Sequence, residues 1–238
     1  MTDVLFYIAA FVSAVVGTAV GFGSSTVFQP LALFFVDFRT ALVLVAVFHI
    51  FSNASRLAFF HRGIDKRMLV IFGVPSVLLT LAGAVLVSYV SQGLFELLLG
   101  VFLVAFSIYS LSGHVIDLKP TTSHAVAGGV LSGFLAGLVG TGGALRGAFL
   151  NAFGMRKNEY VATASAIALL VDFARVPVYL ASGFLGAQYY GGVPVLFLMA
   201  IAGAYVGKHV VDRVSQEGFG KMVLVALLLI GVKFVAGV

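Results

Sequence analysis

Gly140-Thr141-Gly142-Gly143-Ala144-Leu145-Arg146-Gly147 is a glycine cluster carrying one arginine, set between two apolar runs. Gly21-Phe22-Gly23-Ser24-Ser25 occupies the same setting earlier in the chain. A shift of 119 residues superimposes Gly21 on Gly140, Gly23 on Gly142, Asn53 on Asp172 and Arg56 on Arg175. The same shift lays Gly73-Val74-Pro75 on Gly192-Val193-Pro194 without a gap. Because 119 is half of 238, the chain reads as two tandem copies of one unit, and a repeat of this kind dictates the architecture.

Composition says what surrounds the copies. Hydrophobic residues make up 61% of the chain and charged ones 10%, with a mean hydropathy of +1.13. A soluble domain carries roughly 25% charged residues. Too little polar surface exists to cover a soluble globule, so the chain reads as an all-α integral membrane protein. The net charge of +5 resides in short loops, as orientation by basic residues requires, and nucleic-acid binding is not expected. Cysteine is absent, which excludes disulfides, thiol metal sites and thiol nucleophiles. Met1-Thr2-Asp3 lacks a basic leader and reads as the approach to a retained first helix.

Crossing the hydrocarbon core takes about 20 apolar residues. On that measure the first copy (1–112) holds segments at about 3–20, 24–36, 39–62, 67–90 and 93–112. A cytoplasmic linker at 113–123 contains His114, Asp117, Lys119 and Pro120. The second copy (124–238) holds segments at about 124–139, 144–154, 158–182, 191–211 and 217–237. The segments following each glycine break are short. Either they and their predecessors all span, or each pair is a hairpin with a glycine tip at depth. Non-helical backbone inside a membrane persists only where protein buries it or where it lines a wet cavity. The alternative role for these glycines is close helix packing.

Charge sets the topology. Arg62, Lys66 and Arg67 hold their loop in the cytoplasm, with Asp65 among them, whereas Ser91-Gln92-Gly93 carries no basic residue and faces outward. Lys119 returns the linker inside; Arg156 and Lys157, then Lys208, Arg213 and Lys221, also fall inside. The uncharged loop 183–192 falls outside, as do both termini. Equivalent loops therefore lie on opposite sides, giving two inverted-topology repeats of about five helical segments each, with Gly-rich broken helices or hairpins. Such repeats are the sequence mark of a secondary transporter.

Ionisable groups at membrane depth are functional candidates by default: Arg56, Arg146, Asp172, Arg175 and, near a helix start, Glu96. Arg146 follows the second break, where a helix N-terminus would add free N–H groups and partial positive charge, so the two together suit an oxyanion. Snorkelling to a headgroup is the competing role. Its counterpart in the first copy is Val27. Asp172 and Arg175 share a helix face at i, i+3 and read as an internal ion pair, while Asn53 and Arg56 repeat the spacing with a neutral partner. Two of the three arginines are thus left unbalanced, which favours an anionic substrate. Gly142, Gly143, Thr141, Ser24, Ser25 and Gln29 are the remaining binding candidates around the breaks. Thr163, Ser165 and His49 are supporting candidates, and His49 is the one side chain among them suited to relay protons. The chain has no Gly-x-Ser-x-Gly elbow, zinc helix or Walker loop, so no catalysis, cofactor or metal is expected, and a gradient must drive transport.

The duplicated pattern resembles the sulfite exporter TauE/SafE family of membrane transporters. It consists of Gly21-Phe22-Gly23-Ser24-Ser25 with Gln29-Pro30-Leu31 and Ala41 to Arg56, then Gly140-Thr141-Gly142-Gly143 with Leu150 and Val161-Ala162-Thr163-Ala164-Ser165 to Arg175. The resemblance covers essentially the whole chain. It implies movement of sulfite or a small organosulfur anion such as sulfoacetate across the bacterial inner membrane. Ser24-Ser25 stands where the family usually has glycine, and Phe149 matches Pro30 in the second copy, so the particular anion stays open. The expected partners are that anion, the lipid bilayer and, as coupling ion, a proton; a homo-oligomer is compatible. The alternative is an anion channel using the same site without alternating access.

Overall fold

A computed structural model describes residues 4–20, 23–59, 63–113, 120–210 and 216–237. Gly21, Phe22, Arg62, the linker residues His114, Asp117 and Lys119, and Arg213 lie outside the described residues. The described chain is helical: α1 (Val4–Val20), α2 (Ser24–Ala32), α3 (Phe38–Phe59), α4 (Lys66–Ile71), α5 (Gly73–Leu86), α6 (Gln92–Leu111), α7 (Thr122–Val139), α8 (Gly143–Asn151), α9 (Lys157–Ala181), α10 (Val193–Val210) and α11 (Gln216–Ala236). Short 3-10 turns at Val87–Tyr89 and Ala187–Gly192 follow α5 and precede α10. Among the described residues seven helical stretches are long and apolar enough to cross a membrane. The protein is a multi-pass membrane protein.

Local chemistry explains the boundaries. Asp37 accepts from the amides of Arg39 and Thr40, Asp65 from Met68, Ser91 from Leu94 and Thr121 from His124, so α3, α4, α6 and α7 begin on side-chain caps. The stretch read as one helix over 67–90 bends at Phe72, between α4 and α5. Pro75 has no amide proton to offer the Ile71 carbonyl, and its ring crowds that turn, so the helix kinks there. The segment after the first break is also shorter than its apolar run. Pro30 lies inside α2, which ends at Ala32, and residues 33–37 turn into α3.

The surface is inside out relative to a soluble protein. Leu5, Ile8, Leu78, Val85, Val101, Leu198 and Leu229 are exposed on the outer faces of helices, while Ser24, Thr26, Gln29, His49, Asn53, Arg56, Arg146, Asp172 and Arg175 are buried. Lipid accepts the first set; protein partners satisfy part of the second, and Gln29, His49, Asn53 and Arg56 each keep an unpartnered polar atom.

Contacts between the halves form a reciprocal set, in which α1 packs on α10 and α7 on α5, while α2, α3 and α6 each meet their own equivalents α8, α9 and α11. Direction follows from individual contacts. Thr40, at the start of α3, donates to the Phe184 carbonyl beyond the end of α9; His49 meets Asp172 midway; and the Asp65 amide, past the end of α3, donates to Thr163 near the start of α9. The two helices run antiparallel. Residues Gly100 and Leu103 of α6 meet Phe234 and Gly231 of α11 in the same antiparallel sense. By contrast α5 and α7 run parallel, with Gly129, Gly133 and Gly137 lying in turn on the backbone of Phe72, Ser76 and Thr80.

Candidate functional site

Each glycine break is the tip of a helical hairpin. At the first, Gly17 of α1 lies so close to Ser24 of α2 that a Cβ would overlap its backbone, and Gly23 adopts a φ of 83°, which favours glycine. At the second, Gly140 adopts a φ of 80° as it ends α7, and Gly142 lies on the Ser132 carbonyl. Helices α2 and α8 have nine residues each, or about 13 Å of rise, less than half of a hydrocarbon core. The sequence left spanning helices and hairpins as alternatives; the packing of α2 back along α1, with Phe6 against Phe28 at 5.2 Å, is that of a hairpin.

The two tips meet. A Cβ on Gly23 would lie 3.2 Å from Gly143 Cα, and Thr141 Oγ1 donates to Thr26 Oγ1 at 3.0 Å. The first turns of α2 and α8 therefore lie side by side. Neither Gly23 nor Gly142 supplies a side-chain cap; in α2 the Thr26 amide turns back to the Gly23 carbonyl at 3.2 Å, and the amides ahead of it have no side-chain cap.

Around the junction is a buried polar cluster. Asp172 Oδ1 accepts from Arg175 Nε at 2.9 Å and lies 2.7 Å from Arg175 Nη2, which makes the ion pair expected from the i, i+3 spacing. Its other oxygen, Oδ2, is 2.7 Å from His49 Nδ1. Arg175 Nη1 also donates to the Ala136 carbonyl at 2.6 Å. Arg56 Nη2 donates to Ser24 Oγ and Ser52 Oγ, both at 3.0 Å, and its Nε has no protein partner. Arg146 forms no ion pair among the described residues. Snorkelling does not describe these arginines: Arg56, Arg146 and Arg175 are 7%, 5% and 1% exposed and are enclosed by protein.

A small cavity of about 40 Å³ opens beside the junction. It is lined by His49, Asn53 and Arg56 of α3, Gly23 at the first tip, Gly143, Arg146 and Gly147 of α8, and Ser165 of α9. Gly17, Thr18, Tyr160, Val161 and Ala164 complete the wall; the sequence pointed to none of them as site residues, and Val161 and Ala164 entered only as part of the duplicated pattern. Val161, four residues before Ser165, continues the Ser165–Asp172–Arg175 face toward the start of α9, so helical periodicity was the available signal there. Other candidates fall outside the cavity. Thr163 accepts from the Asp65 amide, Gln29 is buried with an unpartnered amide beside Gly140, and Ser25 is buried within α2. Thr141 and Gly142 support the second tip, and Ser24 holds Arg56. Glu96 pairs with Gln92 at the start of α6, away from this cluster.

The cavity is one-sided. It is walled by the second half of α3 and the first part of α9. At the other end Tyr179 Oη donates to the Gly137 carbonyl at 2.5 Å, Tyr179 stacks on Phe184, and Arg39 lies over the rings of Phe38 and Phe184. On the 119-residue offset, Asp172 and Arg175 stand where the cavity has Asn53 and Arg56, and Val27 stands for Arg146. There the guanidinium is consumed by its own carboxylate and by Ala136.

Comparison with known proteins agrees with this architecture. The chain matches the family model described as Sulfite exporter TauE/SafE over residues 6–234. A protein named as a probable membrane transporter in Methanocaldococcus jannaschii is 25% identical over 224 residues, covering 86% of this chain and 83% of its own length. No solved structure matches the chain.

Proposed function

The chain belongs to the sulfite exporter TauE/SafE family of membrane transporters, and we propose that it moves a small sulfur oxyanion, sulfite or an organosulfonate such as sulfoacetate, across the bacterial inner membrane by alternating access. One observation carries this reading. Arg146, Arg56 Nε and Asn53 Nδ2 line a buried cavity at the meeting of two uncapped helix N-termini, and none of the three groups has a carboxylate partner. Guanidinium offers two parallel donors to an oxyanion, and in a site of low dielectric this pairing is strong. Asp172 does not compete with the anion for Arg146 or Arg56, because Arg175 and His49 occupy both its oxygens. Arg146 and the α8 N-terminus bind the anion, Arg56 and Asn53 complete its shell, and Ser24 with Thr141 holds the tips in place.

The halves act as inverted repeats, a reading supported by the antiparallel approach of α3 to α9 and of α6 to α11 and by the basic loops. On that topology, with both termini outside, the cavity opens to the cytoplasm and the Tyr179–Phe184–Arg39 cluster closes the outer path. Rocking one repeat against the other would exchange these states. A channel with the same site needs a path open at both ends, and the closed outer cluster favours a transporter.

Proteoliposomes loaded with unlabelled sulfite test this reading. Wild type is expected to accumulate labelled sulfite by saturable counterflow, and Arg146→Ala to reduce it at least about tenfold, the loss of one charge-assisted pair. Flux without counterflow would mean a channel. Wild-type counterflow in a folded Arg146→Ala protein would remove the anion site.

A further inference from the structure

His49 has a second ring nitrogen that nothing in the protein uses. Its side chain lines the cavity, the residue is 2% exposed, and Nε2 is buried without a hydrogen-bond partner. Nδ1 is 2.7 Å from Asp172 Oδ2. Asp172 is held as a carboxylate by the Arg175 guanidinium, and a carboxylate only accepts, so the Nδ1 proton must lie between the two residues. Neutral His49 therefore presents a bare lone pair at Nε2 to the cavity. Of the other unpartnered polar atoms there, Asn53 Nδ2 and Arg56 Nε are donors, and the Thr18 hydroxyl can rotate to donate. An oxyanion seated among them would meet one repelling acceptor unless Nε2 gained a proton.

We propose that His49 Nε2 takes up one proton when the anion binds, so that the anion and the proton occupy the site together and travel in the same direction. This inference rests on the anion site proposed above and adds its coupling ion. The charged and titratable groups around the ring are Asp172 and Arg175 of α9, Arg56 of α3 and Arg146 of α8, with the Tyr160 phenol across the cavity. Without an anion, an imidazolium would face two guanidinium groups and be repelled. Without the proton, the anion would face a lone pair. Each occupant removes the obstacle to the other, and such coupling is reciprocal. The Asp172 carboxylate behind Nδ1 balances the added charge. The step is a protonation only: a proton joins Nε2, that N–H donates to an anion oxygen, and release of the anion frees the proton on the same side.

Sulfoacetate is the probe of choice, because its sulfonate and carboxylate keep constant charge from pH 6 to pH 8, whereas sulfite titrates. Isothermal calorimetry on the purified full-length protein, in two buffers of different ionisation enthalpy, counts protons. Near pH 8 wild type is expected to take up close to one proton per anion, with affinity rising by about tenfold per unit as pH falls from there. His49→Gln should bind more weakly at pH 6 and lose both uptake and slope. The converse variant, with His61, His114, His124 and His209 all replaced by glutamine, leaves the site untouched and should keep both; it also reports if His49→Gln fails to fold. Wild-type binding without proton uptake, or uptake that persists in folded His49→Gln or vanishes in the converse variant, would overturn the proposal. If neither sulfoacetate nor sulfite binds wild type, the anion site falls and the coupling with it.

Discussion

Asp172 serves two partners from one buried position: Arg175 on Oδ1 and His49 on Oδ2. Removing a carboxylate from such a cluster strands a guanidinium where no water reaches it, and breaking a buried pair costs about 3–5 kcal/mol. Asp172→Asn alone is expected to depress the melting temperature of the purified protein more than Asp172→Asn with Arg175→Gln. Equal depression by the single and double variants would mean that the pair does not act as a unit. The Asp172–Arg175 half of this cluster was legible in the sequence, because helical spacing alone brings the two together. The His49 half was not, since 123 residues separate it from Asp172 and only the packing of α3 on α9 joins them. Arg56 shows the same division. Its position on a face with His49 and Asn53 follows from i, i+4, i+7 spacing, whereas its bond to Ser24 depends on where the first hairpin tip comes to rest.

At the scale of helices, glycine performs two separate tasks. At the tips it supplies positive φ and close approach. Along α7, Gly129, Gly133 and Gly137 form a stripe at four-residue spacing on which the backbone of α5 lies directly, the packing that small residues permit in membranes. A Cβ at Gly133 would overlap the Ser76 carbonyl, so the helices must separate to admit any side chain. Gly133→Val is expected to lower stability by about 2–3 kcal/mol or to abolish folded yield, as overpacking of a tight interface does. Gly93→Ala, on an open face of α6 with nothing within 4 Å, should leave the melting temperature within error. A neutral Gly133→Val would contradict the close packing of α5 on α7. The sequence placed these elements within a few residues, but it could not choose between spanning helices and hairpins at the breaks, because apolar runs of 9–13 residues fit either. Tertiary contact, Phe6 on Phe28 and Gly17 on Ser24, makes that choice. The bend at Phe72 was readable from Pro75 yet outweighed in the reading by an unbroken apolar run.

Across the molecule, the repeat offset and the loop charges carried most of what the sequence had to say, since both persist through divergence that has replaced Arg146 by Val27 and Asp172 by Asn53. Which half keeps an open cavity was not legible. It depends on Arg175 being satisfied by Asp172 and Ala136 while Arg56 retains a free Nε, and that difference appears only when the halves are packed. Transport by this arrangement requires the halves to be inverted: only then does one end of the cavity face the cytoplasm while its equivalent faces outward. The loops after α3 and α9 are equivalent, and the chain has no cysteine, so single substitutions there give clean labels. Lys66 and Gln188 are both exposed, unlike Phe184, which is buried. In intact cells, a membrane-impermeant thiol reagent is expected to modify Gln188→Cys and to spare Lys66→Cys until the membrane is opened. Modification of both from the same side would contradict the inverted arrangement, and with it alternating access around the paired tips.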